Sequence, residues 1–384
     1  MRAIERRDFI CLTAAGAAAL AAGRWPTGAI GSEPGWQAPF SWDHVPVYGH
    51  LGKSEGDFTA EELDFLASRF PVVTIEKGQA VRQRGCTEEG IYEAARELKK
   101  RSPQMKVLFY WNTFINYPLY RAFERFDDAW LLRNRAGKPV LKGGTVPRPD
   151  LSLPEVRQWW SDVAAEAMRS APLDGVFADA LPQVLTPSLP KQVGEEKAAD
   201  VVAGLKEMLA LTRRKIGRDK IMLVNGLRAT DYRQILDWDG VTGMIIEHFG
   251  AFHSGSPEDM RADLESLALA AERGKMAVLK GWPGFTWLDA DMMRRPHAEL
   301  LQTAREQITF PLACFLVAAQ PQTYFCYSWG YRETHGMLDR YPEFERPLGA
   351  PKGPAVWKGM TATREFASAA VAVDLEKRTA RVEW

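Results

Sequence analysis

The chain has 384 residues, 46% of them hydrophobic, and its 49 Lys+Arg are balanced by 49 Asp+Glu. That length suits one large domain, alone or with a small appendage, and the apolar content is enough for a sizeable core. A neutral total leaves no electrostatic footprint for nucleic acid or for an anionic membrane.

The N-terminus reads Arg6-Arg7-Asp8-Phe9-Ile10, then an apolar, small-residue run from Cys11 to Gly23. A basic region before a short apolar stretch is the pattern of a secretory leader, and the paired arginines followed by Phe resemble a twin-arginine signal. The run is too short, and too rich in Ala and Gly, for a membrane span of about 20 residues. Residues 1–31 are therefore expected to be a removable signal and linker, and the mature protein to be periplasmic or extracellular. Cys11 leaves with the leader, so Cys86, Cys314 and Cys326 remain. An odd number at wide spacing is not a disulfide framework, and no C-x-x-C pattern is present. Buried thiols are expected, with a single Cys314–Cys326 bridge as the alternative.

After the leader, short β-branched or aromatic runs alternate with Ala-, Leu-, Glu- and Arg-rich helical patterns, which predicts βα units and a parallel sheet. Strands are predicted at 45–50, 72–76 and 106–112. A helix precedes the second, and another, over 87–101, follows it with Thr87 as N-cap and Glu88 and Glu89 in its first turn. A long insertion turns at 134–138. It leads to a helix capped by Ser152, with Pro154 near its start and Val156, Trp159, Trp160, Val163 and Ala167 on one face. The fourth strand is 175–179, followed by a Pro-rich loop and a helix over 197–216. Strands at 221–225, 243–247, 276–280 and 323–328 follow. Helices are predicted over 257–273, capped by Ser256, and over 297–319. Eight strands in strict alternation predict a (β/α)8 TIM barrel over residues 40–340. An open doubly wound sheet is disfavoured by the strand number and by the missing Gly-rich first turn. The tail, 341–384, is Pro/Gly-rich to Pro354 and then alternates, which predicts a C-terminal β-hairpin extension packed on the barrel.

Active sites of such barrels lie at the C-terminal ends of the strands. The polar and aromatic residues there are His50, Glu76, Trp111, Asn112, Asp179, Asn225, Glu247, His248, Lys280, Trp282, Tyr327 and Trp329. Asp179 and Glu247 each close an apolar run, where a charge is costly unless it is paired or wet. Glycoside hydrolysis needs two carboxyl groups across one bond, and strands four and six are close enough to share a cleft. Asp179 and Glu247 are thus the expected catalytic pair, with Glu76 a rival, and the other residues are expected to bind substrate. The bland reading of each is a structural ion pair with Lys77, Lys280 or Arg228, a satisfied His, or a core Trp. Among 13 Trp, those at strand ends are candidates for sugar platforms. No H-x-H, H-E-x-x-H or EF-hand spacing implies a metal, and no cofactor is expected.

Three segments carry a family resemblance: Asp174-Gly175-Val176-Phe177-Ala178-Asp179, Ile221-Met222-Leu223-Val224-Asn225-Gly226, and the strand ending Glu247-His248-Phe249. They resemble the barrel-fold glycosyl hydrolases grouped as hypothetical glycosyl hydrolase family 15, as does the tail from Leu348 through Trp357 to Val373. The resemblance spans roughly residues 43–384 and implies hydrolysis of a poly- or oligosaccharide. By layout it extends to α-galactosidases and endo-α-1,4-polygalactosaminidases. In the α-galactosidase clan the strand-four acid is the nucleophile and a strand-six acid the acid/base, which implies those roles for Asp179 and Glu247; the departure is Glu in place of Asp on strand six. Two other readings stay open: an exported carbohydrate-binding barrel without catalysis, and an exported cofactor enzyme.

Overall fold

The computed structural model describes residues 35–227, 232–252 and 254–384. The expected leader and linker, 1–31, and Arg228 lie outside the described residues. Eight parallel strands form one sheet: β1 (Tyr48–Leu51), β2 (Val72–Ile75), β3 (Lys106–Asn112), β4 (Gly175–Asp179), β5 (Ile221–Asn225), β6 (Gly243–Ile246), β7 (Met276–Gly281) and β8 (Thr323–Tyr327). They neighbour one another in chain order, with His50 beside Thr74, Asn112 beside Asp179 and Asn225 beside Ile245. The ring returns on itself where Val47 bridges Phe325 and the Phe325 amide donates to Pro46 O at 2.8 Å. This is the expected (β/α)8 barrel. Its strands are almost wholly buried apolar runs because helices cover the outside while side chains fill the inside. At the start of β4 no side chain fits: a Cβ on Gly175 would lie 2.1 Å from Ile221 O, so glycine lets β4 and β5 meet.

The outer helices are α1 (Ala60–Arg69), α2 (Thr87–Arg101), α3 (Pro154–Ser170), α4 (Glu195–Ile216), α5 (Pro257–Glu272), α6 (His297–Gln307) and α7 (Thr309–Ala318). α1 opens with a capping box between Thr59 and Glu62, and α5 with Ser256 accepting from the Asp259 amide, as expected for the latter. Two expected caps differ. Cys86 sits at the cap of α2, and Thr87 is the first helical residue, its hydroxyl accepting from the Gly78 amide at 3.0 Å. Leu153 sits at the cap of α3, where Pro154 needs no N–H partner; the Ser152 hydroxyl instead donates to Asp150 and accepts from Lys197. The helix expected over 297–319 breaks at Ile308. Pro311 has no N–H to bond Gln307, four residues back, so α6 and α7 are separate. The Pro-rich loop after β4 holds two short helices, Leu181–Leu185 and Ser188–Val193. Cys86, Cys314 and Cys326 are buried free thiols, so the alternative bridge is not formed. Among the described residues no helix is long and apolar enough to cross a membrane.

The C-terminal hairpin is half of a four-stranded antiparallel sheet. β9 (Val356–Lys358) and β10 (Thr361–Glu365) precede the expected pair β11 (Ala370–Asp374) and β12 (Thr379–Glu383). β10 escapes a hydrophobic-pattern reading because its two buried residues are Ala362 and Arg364. The Arg364 guanidinium closes the end of α7, donating to Leu316 O at 3.0 Å, Val317 O at 3.3 Å and Ala319 O at 2.6 Å. Burial pulls its pKa down to about 10, yet it remains charged at neutral pH and satisfies carbonyls that a helix end leaves unpaired. Arg364→Met is expected to lower stability by about 2–4 kcal/mol, since several buried carbonyls lose a charged donor together. A shift in the urea midpoint measures this, and an unchanged midpoint would show that the sheet docks through its apolar face alone.

Candidate functional site

Strand side chains alternate, so residues two apart share a face. Along β3, Tyr110 and Asn112 face inward and Trp111 faces the helices; both inward residues reach Asp179 at the end of β4. Asp179 is held by donors on each oxygen. Oδ2 accepts from the Tyr110 hydroxyl and from Asn112 Nδ2 at 3.1 Å; Oδ1 accepts from Asn225 Nδ2 and from the Ala180 amide, each at 2.7 Å. Ala180 adopts a left-handed backbone, φ 69°, a conformation that costs a residue with a Cβ roughly 1–2 kcal/mol. That turn is what brings its amide back to the carboxylate.

Glu247 follows β6. Its Oε2 accepts from Asn225 Nδ2 at 2.8 Å and faces His248 Nε2 at 3.4 Å, and its Oε1 accepts from the Tyr331 hydroxyl at 2.5 Å. One amide nitrogen, Asn225 Nδ2, therefore bonds both carboxylates. The two oxygens are no farther apart than the sum of those bonds, about 5.5 Å. Burial and the nearby Glu247 charge push the Asp179 pKa up, against the pull of Lys77 and of the Tyr110 and Asn225 donors. Burial acts on Glu247 in the same sense, but His248, Tyr331 and Asn225 outweigh it and hold its carboxyl well below the usual range.

A second buried carboxylate supports the first. Glu76 Oε2 is 2.6 Å from His50 Nε2, and Lys77 donates to Glu76 Oε1 and, at 3.3 Å, to the Tyr110 hydroxyl. Burial opposes its ionisation, but Lys77 and His50 win and its pKa is lowered. The chain Lys77–Tyr110–Asp179 thus joins the ion pair to the site. Beside Glu247 stands an aromatic wall. Trp282 Nε1 donates to Glu247 O at 2.9 Å, the Trp282 and Trp287 rings are 5.4 Å apart, and Phe252, 44% exposed, lies 5.7 Å from Trp282 and 4.4 Å from His248.

The structure brings His50, Glu76, Asn112, Asp179, Asn225, Glu247, His248 and Trp282 to one mouth. Lys280 comes with them but is fully buried: Nζ donates to Ser328 Oγ at 2.6 Å and lies over the Trp282 and Tyr331 rings, so it props the wall and cannot touch a substrate. Burial lowers its pKa. Three expected binding residues lie elsewhere. Trp111 is buried against Trp159, Trp160 and Tyr120, its Nε1 donating to Trp160 O at 3.2 Å. Tyr327 also faces outward, donating to Ala304 O at 2.7 Å. Trp329 is fully buried against Phe285 and His297. Tyr110 and Tyr331 are the residues that strand-end counting misses. Period two from Asn112 would have found Tyr110, whereas Tyr331 sits in a loop beyond β8 with no periodic signal. That loop is tightly specified: Gly336 has φ 91°, and a Cβ there would lie 2.3 Å from the Trp329 ring.

The sequence pattern of hypothetical glycosyl hydrolase family 15 matches residues 99–370, more than two thirds of the chain. The protein belongs to that family and is a glycosidase of barrel fold. Among solved structures it is similar to the glycoside hydrolase domain of PelA from Pseudomonas aeruginosa, at 14% identity and TM-score 0.43, covering 67% of this chain and 91% of that one. It is also similar to an α-amylase from Geobacillus thermoleovorans, at 12% identity and TM-score 0.47, covering 88% and 87%. An α-galactosidase from Thermus thermophilus gives 15% and 0.45, covering 89% and 68%. No curated protein matches the sequence. These structural likenesses are remote, and the family assignment rests on the sequence match.

Because the folded pKa of Glu76 is depressed, its ion pair stabilises the protein above the ordinary value of 4.5 and is lost as pH falls through the depressed one. Glu76→Gln is expected to lower the urea midpoint at pH 6 and to flatten its decline below about pH 4.5. A variant with the wild-type acid slope would show that other carboxylates govern acid unfolding.

Proposed function

We propose that the protein is an exported retaining glycosidase acting on a poly- or oligosaccharide, with Asp179 as nucleophile and Glu247 as acid/base. The single observation behind this is the Asn225 amide shared by both carboxylates. It keeps the nearest oxygens within about 5.5 Å of each other, which favours the short carboxyl separation of retaining enzymes over the roughly 6.5–9.5 Å that leaves room for an inverting water. Asp179 would attack the anomeric carbon while Glu247 gives its proton to the departing glycosidic oxygen. Glu247 would then take a proton from the water that releases the sugar from Asp179. Four donors on Asp179 suit an anionic nucleophile and would steady its charge. The exposed ring of Phe252 and the half-buried ring of Trp287, backed by buried Trp282, would stack on a sugar ring beside Glu247.

A second assignment, with Asp179 the acid and Glu247 the nucleophile, is favoured by one observation: the surroundings raise the Asp179 pKa and lower that of Glu247. Asp179→Asn and Glu247→Gln are each expected to cut kcat by about 10²–10⁴ on the best substrate of a glycoside panel. Azide separates the roles. In Asp179→Ala, a glycosyl azide of inverted anomeric configuration identifies Asp179 as nucleophile; in Glu247→Ala, a retained one identifies Glu247 as acid/base. The reverse pattern establishes the second assignment. Saccharide binding by the wild type without any turnover would establish the non-catalytic barrel.

A further inference from the structure

The two sides of the mouth differ in charge. Glu247 is flanked by aromatic rings, whereas the loop after β3, beside Asp179, gathers cations. Thr113 anchors this loop, its amide at 3.0 Å and its hydroxyl at 2.6 Å donating to Asp179 O. Four residues on, Tyr117 is half-buried and is met by Lys77 Nζ, 5.4 Å from its ring centre, and by Lys142 Nζ, which donates to its hydroxyl at 3.1 Å. Arg148 enters from the insertion. Its guanidinium lies 4.7 Å over the Phe114 ring and donates to Phe114 O at 3.4 Å and to Gln183 Oε1 at 2.9 Å, spanning the loops after β3 and β4.

These cations can be compared with others by their partners. Lys53, Arg157 and Lys197 are paired with Glu62, Glu207 and Asp150, whereas Arg213 and Lys275, like Arg364, donate to backbone carbonyls. Lys77 is paired too, with Glu76. Among the described residues neither Arg148 nor Lys142 has a carboxylate within ion-pair distance, and burial lowers the Arg148 pKa with no carboxylate to offset it. Just before Tyr117 in the chain, Asn116 is 1% exposed, and neither polar atom of its side chain has a partner within the protein, while its backbone amide donates to Pro147 O at 3.0 Å. A half-buried guanidinium and a buried amide left unpaired are each costly. They are what a site for a carboxylate or sulfate would keep, because Arg binds such groups through paired donors.

We propose that Arg148 and Lys142, with Tyr117 and the adjoining Asn116, bind the acidic group of a charged sugar, so that the substrate of this site is an anionic glycan rather than a neutral one. The inference rests on the saccharide reading of the cleft. The acidic group belongs on this side because the cations lie here, whereas the Glu247 side offers aromatic rings. Lys77 is already paired with Glu76 and is not counted among the groups that take the acid.

The test separates binding from turnover. Glu247→Gln is run in native gels containing polygalacturonate or alginate, which carry only carboxylates, or dextran sulfate, which carries only sulfates, with dextran and starch as neutral controls. Retardation is expected in an acidic polymer and not in the neutral ones, fading at about 0.5 M NaCl. Lys142→Ala and Arg148→Gln should each weaken it by about fivefold or more, with Arg148→Lys recovering part. Lys142 is exposed, so its variant tests the charge without threatening the fold; thermal unfolding checks the Arg148 variants. Retardation by neutral polymers alone, no retardation by any polymer, or Lys142→Ala and Arg148→Gln behaving as the parent would each overturn the inference. Hydrolysis of a neutral oligosaccharide by the wild type without acidic-polymer binding would sink this inference and leave the glycosidase reading standing. Binding of an acidic polymer with no hydrolysis of any glycan would do the opposite.

Discussion

Two carboxylates bonded to one amide nitrogen are the constraint on which the rest of this barrel mouth depends. At about 5 Å and an effective dielectric near 20, two negative charges repel by roughly 3 kcal/mol, and burial adds to that cost. The surroundings read as compensation. Tyr110, Asn112 and the Ala180 amide complete the donor set of Asp179, and Tyr331 and His248 that of Glu247. Lys77 adds a positive charge through Tyr110 while Glu76 keeps that charge in place. Lys280, buried beneath Trp282 and Tyr331, fixes the loop that delivers the Tyr331 hydroxyl. Every strand from β1 to β8 thus sends a residue toward the same two groups or toward something that holds them.

The family assignment and this geometry bear on different questions. The sequence match places the chain among glycosyl hydrolases and leaves the sugar open. The mouth adds the short carboxylate separation, the aromatic wall on the Glu247 side, and the cations round Tyr117. A saccharide that meets both walls would present an apolar ring face to one and hydroxyl or acidic groups to the other, a division that sugars, with one apolar and one polar face, can satisfy.

Much of this was legible in the residues. β3, β4 and β5 end where an apolar run meets a polar side chain, so Asn112, Asp179 and Asn225 announce both the strand boundary and the site. Pro154 marks the start of α3, whereas the break before Pro311 in the helix expected over 297–319 went unread. What hid was of two kinds. Alternation decides which strand-end residues face inward, and reading only the last residues of β3 and β8 selected Trp111 and Tyr327, which face the helices, while passing over Tyr110. Loops carry no period at all, so Tyr331, Tyr117 and Arg148 reach the mouth through tertiary packing that no local pattern encodes. β10 was obscured for a third reason: its buried face holds Arg364, whose partners are the carbonyls of a helix end rather than apolar side chains.

The closing bridge between Val47 and Phe325 has a kinetic side. The contact that closes the ring joins segments almost 280 residues apart in the chain, so its formation carries a large loop-closure cost unless the intervening βα units are already ordered. Until then β1 and β8 are open edges, each offering unpaired backbone groups to another chain. A chain with the ring unclosed would thus expose two strand edges that the closed barrel brings together, and the Val47–Phe325 bridge is where protection against pairing with another chain is made.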